Sequence, residues 1–432
     1  MVQSNGRIVV VVVHGMGNQF PMDTLRGFVD ALKPEHAVMY SSPNRITEDK
    51  ETRRLSFNTG PYDFFEYYWA HHVDEPRIGA IVKWSINLLF IKPPSASLLL
   101  HIGFIRRAIL SLLFFVVALV VTALIFFDGV DTSLVAATLY GTMLFLLIRV
   151  GVALLANTVI GSINSSIGDV IKYTVPSPEN IAAREKIRSA GIELLKKLHE
   201  SKSGDKNKYH RVVVVGHSLG SIVAYDMLTS LFAQYHRSFT AIPGGQLQPA
   251  LAALRESFNN PTLSIVDYQA LQANLFDEYR ALGFEWRVSN FITMGSSLTH
   301  ASSIMARSSD DFDSKKKERV FPTCLPQLDQ EDNHFAFSVP YKSVAGNALN
   351  IQCCHHAAHF AITQWTNIFF VNDWIGGRLA GEFGPGILDI ELTACDKLTA
   401  RIPLASHTKY WDKTEQASIT EFQSILTTIQ PL

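Results

Sequence analysis

The 432-residue sequence predicts an α/β protein, a buried and mostly parallel sheet flanked by helices, with a hydrophobic insertion in its first half. Three observations predict it. Residues 8–13 and 212–215 are unbroken β-branched runs, the composition of central strands covered on both faces. Each runs through a glycine-bearing turn into an apolar series at helical spacing. Between them lies a block, residues 76–176, that carries most of the chain's long apolar segments.

Composition narrows the class. The net charge is −1, so no basic field points to nucleic acid, and no nucleic-acid partner is expected. Hydrophobic residues make up 47%, high for a soluble enzyme and in need of a local cause. The polar start, residues 1–7, lacks the charged-then-apolar layout of a secretory leader. Cys324, Cys353, Cys354 and Cys395 have no disulfide-framework spacing, which suits a reducing compartment.

Taken in order, the strand at 8–13 enters the loop His14-Gly15-Met16-Gly17-Asn18-Gln19. A helix over about 21–33 follows, with Pro21 in its first turn and Leu25, Phe28, Val29 and Leu32 on one face. The aromatic run 62–70 reads as the next strand. His71, His72 and Asp74 after it do not make a metal site, because adjacent histidines project differently and no further ligand stands at zinc spacing.

The insertion explains the hydrophobicity. Residues 83–104 are apolar but broken by Pro93-Pro94, and are expected to lie along a membrane surface. Residues 108–127 are twenty uncharged residues, enough at about 1.5 Å each to cross a hydrocarbon core of roughly 30 Å. An acidic loop with Asp128 and Asp131 leads to a second apolar stretch, about 134–160, interrupted by Arg149. Lys83, Lys92, Arg106 and Arg107 precede the first stretch. The positive-inside rule then puts the loop outside and both flanks in the cytoplasm. The alternative is a helix pair lying on the bilayer or packed into a lid. The chain thus divides into 1–75, the insertion 76–176, and 177–432.

The third part opens with an amphipathic helix over 177–199 and a polar loop at 201–208. Next comes Val212-Val213-Val214-Val215-Gly216-His217-Ser218-Leu219-Gly220-Ser221, a strand ending at Gly-x-Ser-x-Gly. Leu219, Ile222, Val223, Met227, Leu228 and Leu231 continue it as a helix. Residues 246–282 read as a largely helical insertion, either cap elements or packing helices. Residues 286–294 form another buried strand ending in Gly295-Ser296-Ser297-Leu298. Residues 303–319, with Lys315-Lys316-Lys317, read as a charged surface loop.

Cys353-Cys354-His355-His356-Ala357-Ala358-His359 places His355 and His359 four apart, as two zinc ligands on a helix would be. It lacks a zincin glutamate, and a helix packing near the site is the better reading. A strand from Trp365 ends at Asp373 with Gly376-Gly377 beyond it. A further strand, 387–392, leads to Ser406-His407-Thr408-Lys409-Tyr410-Trp411.

The strand-turn-helix around Ser218, the His-Gly loop at 14–19, the strand to Asp373 and the His-x-x-Tyr-Trp segment together resemble the α/β-hydrolase superfamily in its lipase- and esterase-like form. The resemblance covers most of the chain outside 75–176, and it is closest to an uncharacterised bacterial membrane-associated branch. It implies an α/β-hydrolase fold with an inserted two-helix membrane hairpin. It also implies a serine hydrolase with Ser218 as nucleophile, His407 as general base then acid, and Asp373 as its orienter. The backbone N–H groups of Met16 and Leu219 would form the oxyanion hole, and the aromatics after His407 would wall the pocket. Neither metal nor cofactor is implied.

Asp389 and Asp396 are rival acids, and His355, His356 and His359 rival bases that break the family's Ser–acid–His order. The expected substrate is a lipid or other apolar acyl ester, and the expected location a bacterial inner membrane with the catalytic part cytoplasmic. An acyltransferase or thioesterase using the same residues, or a non-catalytic membrane scaffold, are the alternatives.

Overall fold

A computed structural model describes residues 6–16, 20–47, 50–72, 173–174, 178–239, 248–258, 260, 262–329, 334–343, 346, 348–393, 405–412 and 415–429. The chain divides into one unit of Met1–Val73 with Lys172–Leu432, and a second of Asp74–Ile171. The second unit, with the expected hairpin at about 108–127 and 134–160, lies outside the described residues. Among the described residues no helix is long and apolar enough to cross a membrane.

The first unit is built on an eight-stranded sheet. β1 (Arg7–Val13) is followed by α1 (Asp23–Leu32), whose Leu25, Phe28, Val29 and Leu32 are buried as their spacing predicts. The chain then makes β2 (Met39–Pro43), β3 (Arg53–Phe57) and β4 (Tyr62–Tyr67). β2 and β3 correct the expectation that the aromatic run is the next strand after β1. They are antiparallel and polar, and β2 is half-exposed at the sheet edge, so neither carries a buried-strand signature.

After the second unit come α2 (Pro178–Glu200), a short hairpin of β5 (Lys202–Ser203) and β6 (Lys206–Asn207), β7 (Tyr209–His217) and α3 (Leu219–Tyr235). The helical segment 246–282 resolves into α4 (Pro249–Ser257) and α5 (Ile265–Ala281). α5 is a packing helix. Its Tyr268, Leu275, Phe276 and Tyr279 are buried, and Gln269 donates to the Trp365 carbonyl of a sheet strand.

β8 (Val288–Met294) is fully buried. The expected charged loop at 303–319 instead contains α6 (Ser309–Lys317). Ser308 caps its first turn by accepting from Asp311 N–H, and acids at its start and lysines at its end match the helix dipole. Lys315 and Lys316 are engaged with Asp311 and Asp313. The expected helix over 353–359 is also corrected. β9 (Ala336–Lys342) and β10 (Ala348–Cys354) form an antiparallel ribbon, and the chain turns after Cys354. β11 (Gln364–Phe370), β12 (Leu388–Leu392) and a C-terminal helix α7 (Gln416–Thr428) complete the unit.

The strand order is β12-β11-β8-β7-β1-β4-β3-β2, with β12 through β4 all parallel. Alternate residues face opposite layers. Ile8, Val10, Val12, Val213, Val215, Ile292, Met294, Ile368 and Phe370 pack against α1 and α7. Helices α2, α3 and α5 cover the other face. From β1 the chain fills the sheet first on one side, as far as β4, and then on the other, from β7 outward. The crevice at the carboxyl ends of β1 and β7 is therefore the topological switch point, where α/β sheets place their ligands.

Candidate active site

The expected catalytic and oxyanion residues stand at that carboxyl edge: the His14 loop with Met16 follows β1, Ser218 follows β7, and Asp373 follows β11, with Gly295 and Ser296 after β8 beside them. His407 reaches the same place in a single turn of helix, Ser406–Thr408.

Ser218 sits at φ 53°, ψ −128°, a left-handed conformation that a side chain adopts only when its surroundings force it. Those surroundings are close. A Cβ on Gly220 would lie 2.2 Å from the His14 carbonyl oxygen, and one on Gly216 would lie 2.6 Å from Ser221 Cα. The glycines two before and two after the serine are required because backbone passes against backbone. The turn is also tied by hydrogen bonds. Ser218 N–H donates to Met294 O at 3.2 Å, and its carbonyl accepts from Ser221 Oγ at 2.5 Å. Ser296 Oγ supports Ser221 Oγ at 2.7 Å. Leu219 is the first residue of α3, so its N–H belongs to the unpaired, positive end of a helix.

Asp373 accepts His407 Nδ1 at 2.9 Å and 3.1 Å on its two oxygens, Tyr410 O–H at 2.7 Å and Ile375 N–H at 2.9 Å. Burial pushes its carboxyl up, but the His407 charge and the bonds from His407, Tyr410 and Gly376 N–H outweigh it and hold the group at about 2. The carboxylate is therefore ionised at neutral pH. A Cβ on Gly376 would lie 2.7 Å from its Oδ2, so the glycine after the acid is needed for close approach. With Nδ1–H on Asp373, the His407 Nε2 carries the lone pair. Among the described residues, Nε2 and Ser218 Oγ are both buried and without a hydrogen-bond partner. Ionised acid, oriented imidazole and uncommitted hydroxyl are the parts that nucleophilic acyl transfer needs.

Comparisons with protein-family models, curated proteins and solved structures give no match to this chain.

The structure thus brings Ser218, Asp373 and His407 to one crevice, with Leu219 beside the serine. Met16 follows Gly15, where an added Cβ would lie 3.0 Å from Ser218 Cβ. The rivals are elsewhere. Asp389 accepts from Asn367 and from the N–H groups of Leu379 and Ala380, so it is a loop anchor. Asp396 lies outside the described residues. His355 bonds to Gln327 O, and His359 is buried against Phe232, near the far end of α3 from Ser218. Among the described residues no cluster of His, Cys, Asp and Glu is arranged to hold a metal ion, and Cys324, Cys353 and Cys354 are free and buried.

One role differs from expectation. Tyr410 does not wall a pocket: it is buried with its hydroxyl on Asp373, and it accepts Phe370 N–H at 3.1 Å. Trp411 packs edge-on to His217 and Phe28.

Sequence reasoning missed His217. It stacks on His407 at 4.9 Å and donates Nε2–H to His407 O at 3.0 Å, holding the base loop against β7. Burial, reinforced by His407, lowers His217 to about 3, so it stays neutral. Ser221, Ser296 and Trp69 were missed as well. Their contacts cross 55 or more positions of chain, apart from the local bonds of Ser221 and Ser296, and no spacing rule finds them.

Proposed function

We propose that the protein is a serine ester hydrolase of the α/β-hydrolase fold, cleaving a lipid or other apolar acyl ester through an acyl-enzyme. The observation that carries this is the His407 Nδ1–Asp373 pair, with Nε2 left free, in the crevice where Ser218 is held at positive φ. Ser218 Oγ attacks the acyl carbonyl while Nε2 takes its proton, and Asp373 stabilises the imidazolium. The N–H groups of Leu219 and Met16 receive the oxyanion, where one such donor is worth about 3 kcal/mol. His407 returns the proton to the leaving alcohol, and water, activated by the same nitrogen, releases the acid and regenerates Ser218.

The apolar stretches at 108–127 and 134–160 support a membrane anchor with the hydrolase unit on the cytoplasmic side of a bacterial inner membrane. That location favours a lipid as substrate. A fluorophosphonate probe should label the wild type at Ser218, and Ser218→Ala should abolish both labelling and hydrolysis of p-nitrophenyl esters. Labelling that persists at another serine overturns the assignment. Extraction of the chain from membranes by carbonate without detergent overturns the anchor.

A further inference from the structure

His14 directly follows β1 and is completely buried, and every polar atom of its ring is engaged. The partners fix its protons. The Gly15 carbonyl can only accept, so Nδ1 carries the hydrogen and donates to it at 2.7 Å. The Trp69 backbone N–H can only donate, so Nε2 is the acceptor, at 3.0 Å. Trp69, two residues past β4, also donates its indole Nε1–H to His14 O at 2.9 Å. The two rings lie parallel, with centroids 4.9 Å apart. The imidazole is thus held in one orientation and one tautomer.

The bond to Gly15 O has a consequence one atom further on. The Gly15 carbonyl and the Met16 N–H belong to the same planar trans peptide and point in opposite directions across it. Fixing the oxygen therefore fixes the line along which the N–H points. A glycine before that peptide leaves it free to rotate unless something holds it. Gly15 itself faces Ser218, where a Cβ added to the glycine would lie 3.0 Å from Ser218 Cβ.

We propose that His14, locked by Trp69, is a positioning residue that aims the Met16 N–H at the oxyanion. The inference rests on the serine-hydrolase reading and deepens it. His14 touches no substrate; it acts through the Gly15–Met16 peptide.

Paired substitutions separate this from mere packing. His14→Asn keeps an amide N–H near the place of Nδ1 and gives up the acceptor. His14→Gln reaches the place of Nε2 and gives up the donor. With a short p-nitrophenyl ester, His14→Gln and His14→Ala should lose about 100-fold in kcat with KM within threefold, the loss expected for one oxyanion donor. Their rates of fluorophosphonate labelling should fall in parallel. His14→Asn should stay within about tenfold of the wild type. Trp69→Phe, which keeps the stacked ring and loses the indole N–H, should lose about five- to tenfold in kcat.

Equal losses in the Asn and Gln variants, or losses carried by KM, overturn the proposal. If the His14 variants do not fold, an unchanged kcat in Trp69→Phe overturns it alone. Failure of the wider reading looks different: Ser218→Ala would still be labelled, whatever the His14 variants do.

Discussion

Ser218 is held in a left-handed turn because two glycines let three pieces of backbone meet. The sharpest contact is Gly220, where an added Cβ would fall 2.2 Å from the His14 carbonyl and 2.4 Å from that of Val13. Neither oxygen can withdraw, since Val13 ends β1 and His14, directly after it, is completely buried with its carbonyl held by the Trp69 indole N–H. Gly220→Ala should therefore cost about 3 kcal/mol or more and reduce ester hydrolysis at least 100-fold. Gly381→Ala is the matched control. Among the described residues nothing lies within 4 Å of its Cβ position, so its thermal midpoint should be unchanged or slightly raised. At Asp373 the same scale of reasoning applies to charge. Asp373→Asn keeps the shape but can present an amide N–H to His407 Nδ1, turning the imidazole to the wrong tautomer. Its kcat should fall by about 10⁴-fold with little change in KM, measured on a soluble ester.

Helices and strands were legible where a face is continuously apolar, and illegible where pairing or capping decides. β1, β7, β8 and β11 are buried on both faces, and their β-branched and aromatic runs announce them. β2 and β3 are polar strands whose place depends on hydrogen bonding to β4, which no periodicity records. Six of the nine residues of α6 are charged, yet Ser308 and two i,i+3 or i,i+4 ion pairs make it helical. The Cys353–His359 segment has helical spacing of histidines, but Cys353 and Cys354 end β10, paired with Phe337 and Ala336 of β9, and the chain turns before it reaches His359. α7 was not anticipated, although Ile419, Phe422 and Leu426 seal one face of the sheet. Phe422 is completely buried, edge-on to Phe28 at 4.8 Å. Phe422→Ala should destabilise the unit by about 3–5 kcal/mol, read as a lower urea midpoint with an unchanged slope.

The whole molecule carries a built-in sensitivity to acid. His14, His199, His217 and His359 are buried and kept neutral, lowered by burial to about 4, 3, 3 and 3. For His14 and His199 the reason is visible in the bonds. Each donates Nδ1–H to a carbonyl and accepts a backbone N–H at Nε2, so a second proton would set donor against donor. The unfolded chain takes up those protons near pH 6.5 and the folded chain does not. Stability from these groups is thus complete above 6.5 and is lost as pH falls towards 4 and then 3. At pH 5 each costs about 2 kcal/mol. Asp373, held at about 2, adds a further loss only below its ordinary value of 3.8. The thermal midpoint should fall steeply between pH 7 and 5, and His359→Phe should flatten that slope. A midpoint constant over this range contradicts the account.

By itself the sequence determined the parallel core strands, the turn at Ser218 and the long apolar insertion, because each is a local pattern of side-chain shape and polarity. Its residues also named Asp373 and His407 as partners, through a likeness of motif and chain order. Only the tertiary structure decided which acid meets His407 and excluded Asp389. It alone set Tyr410 on the carboxylate, His217 on the base loop and Trp69 on His14. Those contacts join residues 34 to 190 positions apart at the carboxyl edge of one sheet, apart from the local anchors of Asp389. Strand order brings them together, and strand order is set by how the whole sheet buries its two faces.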